Sequence, residues 1–320
     1  MITRRNLLAS MAALATTPAA AQSFPTRPIR MIVPFPPGGP IDTMGRMVAN
    51  DLSVRLGQQV IVDNRAGAGS TLGTKAAAAA EPDGYTLLFG SSGSLAVAPA
   101  LYTTLDVDPL KAFVPVAKVS LLPHVLVVAN DLPVKSVKEF VAYAKANPGK
   151  LNYGAGLGTP PHLLSTLFKT KADIDAVYVP YKGSAASITD LLGGRTQFTI
   201  DGLLGLAPLI RDGKVRALAI ARGERWPELP DIPTLVESGY PDFTIDAWTG
   251  VAAPAGTPPE IVAKLNAAIN AGLSSADSKA TLAKFSAIAD TGTPADFGAF
   301  LARELPRWAA LVKLAGAKAE

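Results

Sequence analysis

The sequence predicts a two-lobed α/β protein, each lobe a mixed sheet flanked by helices, with a ligand cleft between the lobes. Three observations carry this. The chain has 320 residues, too many for one small core and suited to two units of roughly 100–200 residues each. Strand-like and helix-like patterns alternate along most of its length. One strand–glycine–helix arrangement occurs twice, roughly 120 residues apart.

Composition narrows the function. Hydrophobic residues make up 48% and charged residues 18%, the reverse of the balance that keeps a chain disordered. There is no cysteine, which excludes disulfides, thiolate zinc sites, iron–sulfur ligation and a cysteine nucleophile. His124 and His162 are the two histidines, too few for most metal enzymes, so neither a metal nor a cofactor is expected. The net charge of +4 is not gathered into basic runs, which argues against nucleic acid as a partner.

Residues 1–21 read as an export signal. Arg4-Arg5 precedes an apolar stretch, Leu7–Ala15, interrupted only by Ser10, and Ala19-Ala20-Ala21 offers a small-residue cleavage site before Gln22. An apolar stretch of that length reaches roughly 14 Å, under half of a bilayer core. The arginine pair resembles a twin-arginine signal, and a plain secretory signal also fits. The expected product is exported, is soluble outside the cytoplasm and does not span the membrane.

Along the mature chain, Ile29–Phe35 is a β-rich run. Ile41–Leu56 places Ile41, Met44, Met47, Val48, Leu52 and Leu56 at helical spacing and stops at Gly57. Val60–Val62 is a second strand, Ala66–Gly69 a glycine turn, and Leu72–Ala80 a helix closed by Pro82-Asp83-Gly84. Tyr85–Phe89 makes a third strand, running into Gly90-Ser91-Ser92-Gly93-Ser94. After a proline-punctuated passage come the buried-strand run Val125–Ala129 and the helix Val137–Ala146, capped by Ser136. Leu151–Tyr153 opens a second strand–glycine–helix unit, and Val177–Val179, Gln197–Ile200 and Val215–Ile220 supply further strands. Glu260–Leu273, Lys279–Ala287 and Ala295–Leu314 read as helices, the last expected to kink at Pro306.

The repeated arrangement is the most informative feature. One copy runs from Phe35 through Pro36-Pro37-Gly38-Gly39-Pro40-Ile41-Asp42, the other from Gly154 through Gly156-Leu157-Gly158-Thr159-Pro160-Pro161-His162. Proline fits the first helical turn, where its missing N–H costs nothing. Gly39 or Thr159 falls at the cap, and Asp42 or His162 at the third helical position. Each loop is a potential anion cradle of backbone N–H groups at a positive helix end, with no lysine or arginine of its own. Strand–glycine–helix turns also serve merely to reverse a chain, but two matched copies in two lobes suit a clamp.

Enzyme motifs fit poorly. Gly154 and Gly156 match a dinucleotide fingerprint, but Thr159 stands at its third glycine. Gly90–Ser94 lacks the glycine that a nucleophile elbow requires. Asp42 reads as a helix cap or as a general base. His162 reads as a ligand contact, a solvent-satisfied first-turn residue or a proton shuttle, and His124 as structural.

Pro28-Ile29-Arg30-Met31-Ile32-Val33-Pro34-Phe35-Pro36-Pro37-Gly38-Gly39, followed by Asp42, resembles the N-terminal motif of the Bug family. These are the periplasmic, TctC-like solute receptors of tripartite tricarboxylate transporters. The resemblance continues through Asp63-Asn64-Arg65-Ala66-Gly67-Ala68-Gly69, Pro82-Asp83-Gly84-Tyr85, Val179-Pro180-Tyr181-Lys182-Gly183, Leu191-Leu192-Gly193-Gly194, Pro230-Asp231-Ile232-Pro233-Thr234 and Ala253-Pro254-Ala255-Gly256-Thr257-Pro258. It implies a type II-like periplasmic-binding-protein fold. The first lobe is expected over residues 22–124 and 241–320 and the second over 125–240, with crossings near Leu122–Val125 and Tyr240–Trp248. It also implies a small carboxylate as ligand, held by the loops Phe35–Asp42 and Gly156–His162 with Ser91, Ser92 and Asp201 at the cleft border. The site residues expected are therefore Phe35, Gly38, Gly39, Pro40, Ile41 and Asp42 from the first loop, Gly156, Gly158, Thr159 and His162 from the second, and Ser91, Ser92 and Asp201. The implied partner is a membrane permease, served by a monomeric, non-catalytic receptor. A sensory protein docking on a receptor kinase, and a periplasmic enzyme using Asp42 and His162, are the other readings. Pro40-Ile41 fills positions that vary in the family, so the ligand's identity does not carry over.

Overall fold

The computed structural model describes residues 24–102 and 105–318; the expected export signal at 1–21 lies outside the described residues. Two sheets form. The first contains β1 (Ile29–Val33), β2 (Val60–Asn64), β3 (Thr86–Ser91), β4 (Phe113–Leu122), β10 (Ala247–Pro254) and the short β11 (Ile288–Ala289), in the order β11-β4-β10-β3-β1-β2. The second contains β5 (His124–Ala129), β6 (Leu151–Gly156), β7 (Ala176–Tyr181), β8 (Phe198–Gly202) and β9 (Val215–Ile220), in the order β7-β6-β8-β5-β9.

The two sheets share one plan. In each, the first strand of the unit (β1 or β6) lies between two parallel neighbours, β2 and β3 or β7 and β8. An antiparallel strand then inserts beside the third, β10 next to β3 and β5 next to β8. These inserted strands adjoin the two passages between lobes. β4 leads through Pro123 directly into β5, and the chain leaves β9 and returns through residues 221–246 to β10.

The helices of the first lobe include α1 (Pro40–Leu56), α2 (Thr71–Ala78), a π-helical turn (Gly93–Val97) running into α3 (Ala98–Leu101), and α4 (Pro109–Ala112). α5 (Val137–Ala146), α6 (Pro160–Lys171), α7 (Ser184–Leu192) and α8 (Leu203–Arg211) flank the second sheet, and α9 (Pro259–Leu273), α10 (Ala276–Ala283) and α11 (Pro294–Leu314) follow β10. α1 buries Met44, Val48 and Leu52, the stripe its spacing predicts, and ends where the Gly57 N–H, in left-handed backbone, reaches the Ser53 carbonyl. α5 starts as expected, Ser136 Oγ accepting from the Glu139 N–H at 3.2 Å.

Three elements, β4, β10 and α10, differ from the sequence reading. β4 and β10 are interior strands that the local sequence does not announce. Pro115 of β4 lacks an N–H for the ladder, and the pairing accommodates it opposite Ala252 at a register shift. The helix expected over Lys279–Ala287 lies earlier, at Ala276–Ala283. Ser275 caps it by accepting from the Ser278 N–H at 3.1 Å, and Ser286 turns the chain with φ 49°. The last helix is continuous through Pro306 from its capping box, Thr293 with Asp296, to Leu314.

One apolar cluster fills the face of the first sheet covered by Met44, Val48, Leu265 and Ile269. The other is continuous from Ile32, Leu88 and Leu101 through Phe140, Phe168 and Phe198 of the second lobe to Trp248, Phe297 and Trp308. α11, at about 31 Å, joins them: it packs on β4 and α3 of the first lobe and on α6 of the second. Trp308 is fully buried in this seam. Trp308→Ala is therefore expected to cost about 3–5 kcal/mol, read as a shift of the urea midpoint; a midpoint within experimental error of the parent would show that the seam does not hold the lobes.

Candidate functional site

Both glycine loops leave the carboxyl end of the strand that lies between two parallel neighbours, the topological switch point where open α/β sheets bind ligands. They are built alike. At the first, Gly38 has φ 81° and Gly39 caps α1 in extended backbone, φ −77° and ψ 168°; at the second, Gly158 has φ 69° and Thr159 caps α6 at φ −78° and ψ 159°. The Gly38 N–H donates to Asp42 Oδ2 at 2.8 Å, and the Gly158 N–H donates to His162 Nδ1 at 3.2 Å. In each copy a side chain in the first helical turn reaches back and locks the glycine that precedes the cap.

Asp42 consequently does not face the cleft as an orienting group. It is 2% exposed, and its carboxylate also accepts from Arg46 Nε at 2.9 Å and Asn64 Nδ2 at 2.8 Å. Asn64 additionally donates to the Phe35 carbonyl at 3.1 Å, which ties β2 to the loop. Burial alone would raise the Asp42 pKa, but the hydrogen bonds from Arg46, Gly38 and Asn64 outweigh it and hold the carboxyl below its ordinary value. These bonds make Asp42 the group that fixes the start of α1.

His162 is also buried, its ring stacked on Tyr178 with centroids 4.0 Å apart. Because Nδ1 accepts a hydrogen bond, the neutral ring carries its proton on Nε2, and burial lowers its pKa. Thr159 donates its hydroxyl to the Gly156 carbonyl at 2.7 Å. The second loop is poorer in donors than the first. Pro160 and Pro161 have no N–H, leaving the His162 N–H as the unpaired one in that turn, whereas α1 keeps the Ile41 and Asp42 N–H groups without partners among the described residues.

A cavity of about 400 Å³ lies between the lobes. Phe35, Gly158 and Thr159 of the expected residues line it. Gly38, Gly39, Pro40 and Ile41 stand beside it in the loop that begins at Phe35, and Gly156 and His162 are buried beneath the second loop. Ser91 and Ser92 are buried behind Gly93, which reaches the cavity; the Ser91 N–H donates to Ser94 Oγ at 2.9 Å. The sequence reading missed the opposite walls: Ala66, Gly67, Gly69 and Ser70 of the glycine turn, and Val97, Leu101 and Tyr102 of the helix after β3. Ala68 and Ser70 hold positive φ, 43° and 77°, a local strain that the glycine-rich pattern foreshadows.

Asp201, at the end of β8, is 5% exposed and does not line the cavity. Its Oδ1 accepts from Ser184 Oγ at 3.0 Å and from the Gly202 N–H at 2.7 Å, while Oδ2 is buried without a partner. Burial pushes its pKa up to about 6, against the opposing hydrogen bonds. No group of three or more metal-ligating side chains occurs among the described residues.

Two sheets of one strand order, joined by two passages and presenting matched helix starts to a shared cleft, define a two-lobed solute-binding protein of the periplasmic kind. Residues 44–317 match the tripartite tricarboxylate transporter family receptor, TctC, and the chain belongs to that family of receptors. Protein BugT of Bordetella pertussis is 42% identical over 94% of this chain and 93% of that protein. Rpa4515 of R. palustris, solved with adipate, is 38% identical with a TM-score of 0.77, covering 92% of this chain and 99% of that one. MatC from Rhodopseudomonas palustris, solved with bound malate, is 36% identical with a TM-score of 0.73, covering 90% and 100%.

The two glycines differ in the room they leave for a side chain. A Cβ at Gly39 meets only the Pro36 carbonyl at 3.7 Å, whereas at Gly158 it falls 2.4 Å from Leu101 of the other lobe, on left-handed backbone. Gly158→Val is thus expected to cost about 1–3 kcal/mol and Gly39→Val to stay within about 0.5–1 kcal/mol by thermal denaturation; the reverse ranking contradicts the loop geometry. Asp201 gives a pH signature. Its folded-state pKa is raised, so the fold binds its proton more tightly than the unfolded chain does. The penalty is absent below about pH 4 and complete above about pH 6. Asp201→Asn should gain on the order of 1–3 kcal/mol at pH 7 over its relative stability at pH 4; a difference between the two proteins that does not change with pH refutes the assignment.

Proposed function

We propose that the chain is exported by residues 1–21 and works in the periplasm as a monomeric receptor. It captures a small carboxylate in the interlobe cleft and delivers it to the permease of a tripartite tricarboxylate transporter. The observation that carries this reading is the pair of matched loops, Gly38 locked to Asp42 and Gly158 locked to His162, set at the two helix starts that border one cavity. Helix N-termini attract anions without a full opposing charge, each contributing about 0.3–1 kcal/mol at exposed sites and more where water is excluded. The adipate and malate bound by two relatives agree with an acid as ligand.

The moving bodies in this reading are residues 22–124 with 241–320, and residues 125–240. Neither half-site encloses a small acid alone, so closure supplies the differential affinity that favours the closed form. The Gly158–Leu101 approach marks where the lobes meet. In the proposed site Phe35, Gly38, Gly39 and Pro40 shape the loop that leads to the anion pole at the Ile41 and Asp42 N–H groups, and the Asp42 and His162 side chains fix the two loops. Thr159 lines the cavity from the second loop, with Gly156, Ser91, Ser92 and Asp201 buried behind its walls. Small-angle scattering of the mature protein, with and without an acid found by thermal shift, tests the mechanism. The radius of gyration should fall on binding and the acid should be recovered unchanged. An unchanged scattering curve at saturation, or a new product, overturns the reading.

A further inference from the structure

We propose that the preferred ligand is a monocarboxylate with an apolar body, held by its single charged end at α1, and not a di- or tricarboxylate; this rests on the receptor reading above. The cavity wall decides it. None of the residues that line it carries a charge. Its larger side chains are Phe35, Val97, Leu101, Tyr102 and Leu157, together with Pro34, Pro36 and Pro160. Of its three side-chain hydroxyls, Ser70 donates to the Gly69 carbonyl and Thr159 to the Gly156 carbonyl. The Tyr102 hydroxyl is left, a neutral group that can orient a ligand but cannot neutralise a second anion.

The two poles of the site are also unequal. α1 presents the Ile41 and Asp42 N–H groups unpaired, and the Asp42 charge beside them is matched by Arg46 at 2.9 Å. At α6, Pro160 and Pro161 remove two of the donors that a helix start normally offers, and His162 is buried and neutral. A second carboxylate would therefore lose its water against apolar walls without gaining a cation or a full set of N–H donors. A methylene chain or a ring at the same place gains from leaving water. Leu157, 52% exposed on the second loop, is the side chain that a ligand's far end meets as the cleft closes.

Matched pairs isolate the second charge: hexanoate against adipate, and benzoate against terephthalate, measured by calorimetry on the mature protein, with benzamide as the uncharged control. The expected result is binding of the monocarboxylate at least about tenfold tighter in each pair, a difference of about 1.4 kcal/mol, and no binding of benzamide. Leu157→Lys, a change at an exposed position, should narrow the hexanoate–adipate ratio by improving adipate. Adipate or terephthalate binding as tightly as its partner overturns the inference while leaving the receptor reading intact. If no acid of either kind binds, malate and citrate included, the inference and the receptor reading fail together. Benzamide binding as well as benzoate refutes the anion pole itself.

Discussion

The site depends on one small interaction made twice, a glycine N–H in left-handed backbone donating to a side chain of the first helical turn. Without the Gly38–Asp42 and Gly158–His162 bonds, the chain leaving β1 or β6 would have no fixed entry angle into its helix. With them, the glycine's N–H is consumed internally and the N–H groups further along the first turn remain for a ligand. The residue that makes the lock is charged in one copy and aromatic in the other. Asp42 needs Arg46 and Asn64 to be tolerated in a buried position, whereas His162 remains neutral and rests on Tyr178. Equal geometry is thus reached through unequal chemistry.

The passages between the lobes use a different device. Pro123 separates β4 from β5 with no intervening loop, so the first crossing is short and covalently stiff. The second is long and clamped by charges. Lys171 pairs with Asp242 at 2.6 Å, and Arg307, itself held by the buried Glu304, donates to the Thr244 carbonyl at 3.2 Å. Arg222 lies 3.4 Å from Asp246 and over the Trp226 ring. Burial pushes the Asp246 pKa up to about 6 even with Arg222 beside it, Glu304 and Asp290 adding to the rise and Lys118 opposing it. A buried pair with imperfect geometry contributes little net stability, but removing one partner leaves an uncompensated charge. These contacts fix the path of the crossing more than they strengthen the fold.

Much of this was legible in the sequence where the signal is local. The two glycine loops, their caps and the stripe of α1 each depend on a few neighbouring residues, and the structure has them at the expected places. β4 and β10 were not legible, because Pro115 and Gly250 do not favour strands locally; their extended state comes from pairing with each other and, for β10, with β3. The cavity walls failed for the same reason. Leu101 and Tyr102 carry no motif, and they become part of a site only because the π-helical turn carries them toward the second loop. Asp42 was placed on the right turn, but its surroundings were not legible, since only the fold brings Asn64 of β2 and Arg46 to its two oxygens.

A receptor that must release what it captures is served by this division of labour. A lysine or arginine in the cleft would hold an acid through a charge pair, and closing the lobes would desolvate that pair at a cost recovered only with near-ideal geometry. Backbone N–H groups at a helix end carry partial charges already fixed in direction, so little reorganisation accompanies binding. The cations near the first loop are occupied elsewhere: Arg46 by Asp42 and Asn64, and Arg65 by Asp63 at 2.8 Å. Selectivity is then left to the walls. They are apolar, come from both lobes and meet across Gly158 and Leu101, so in the proposed mechanism the fit of the ligand's body and the closure of the cleft are one event.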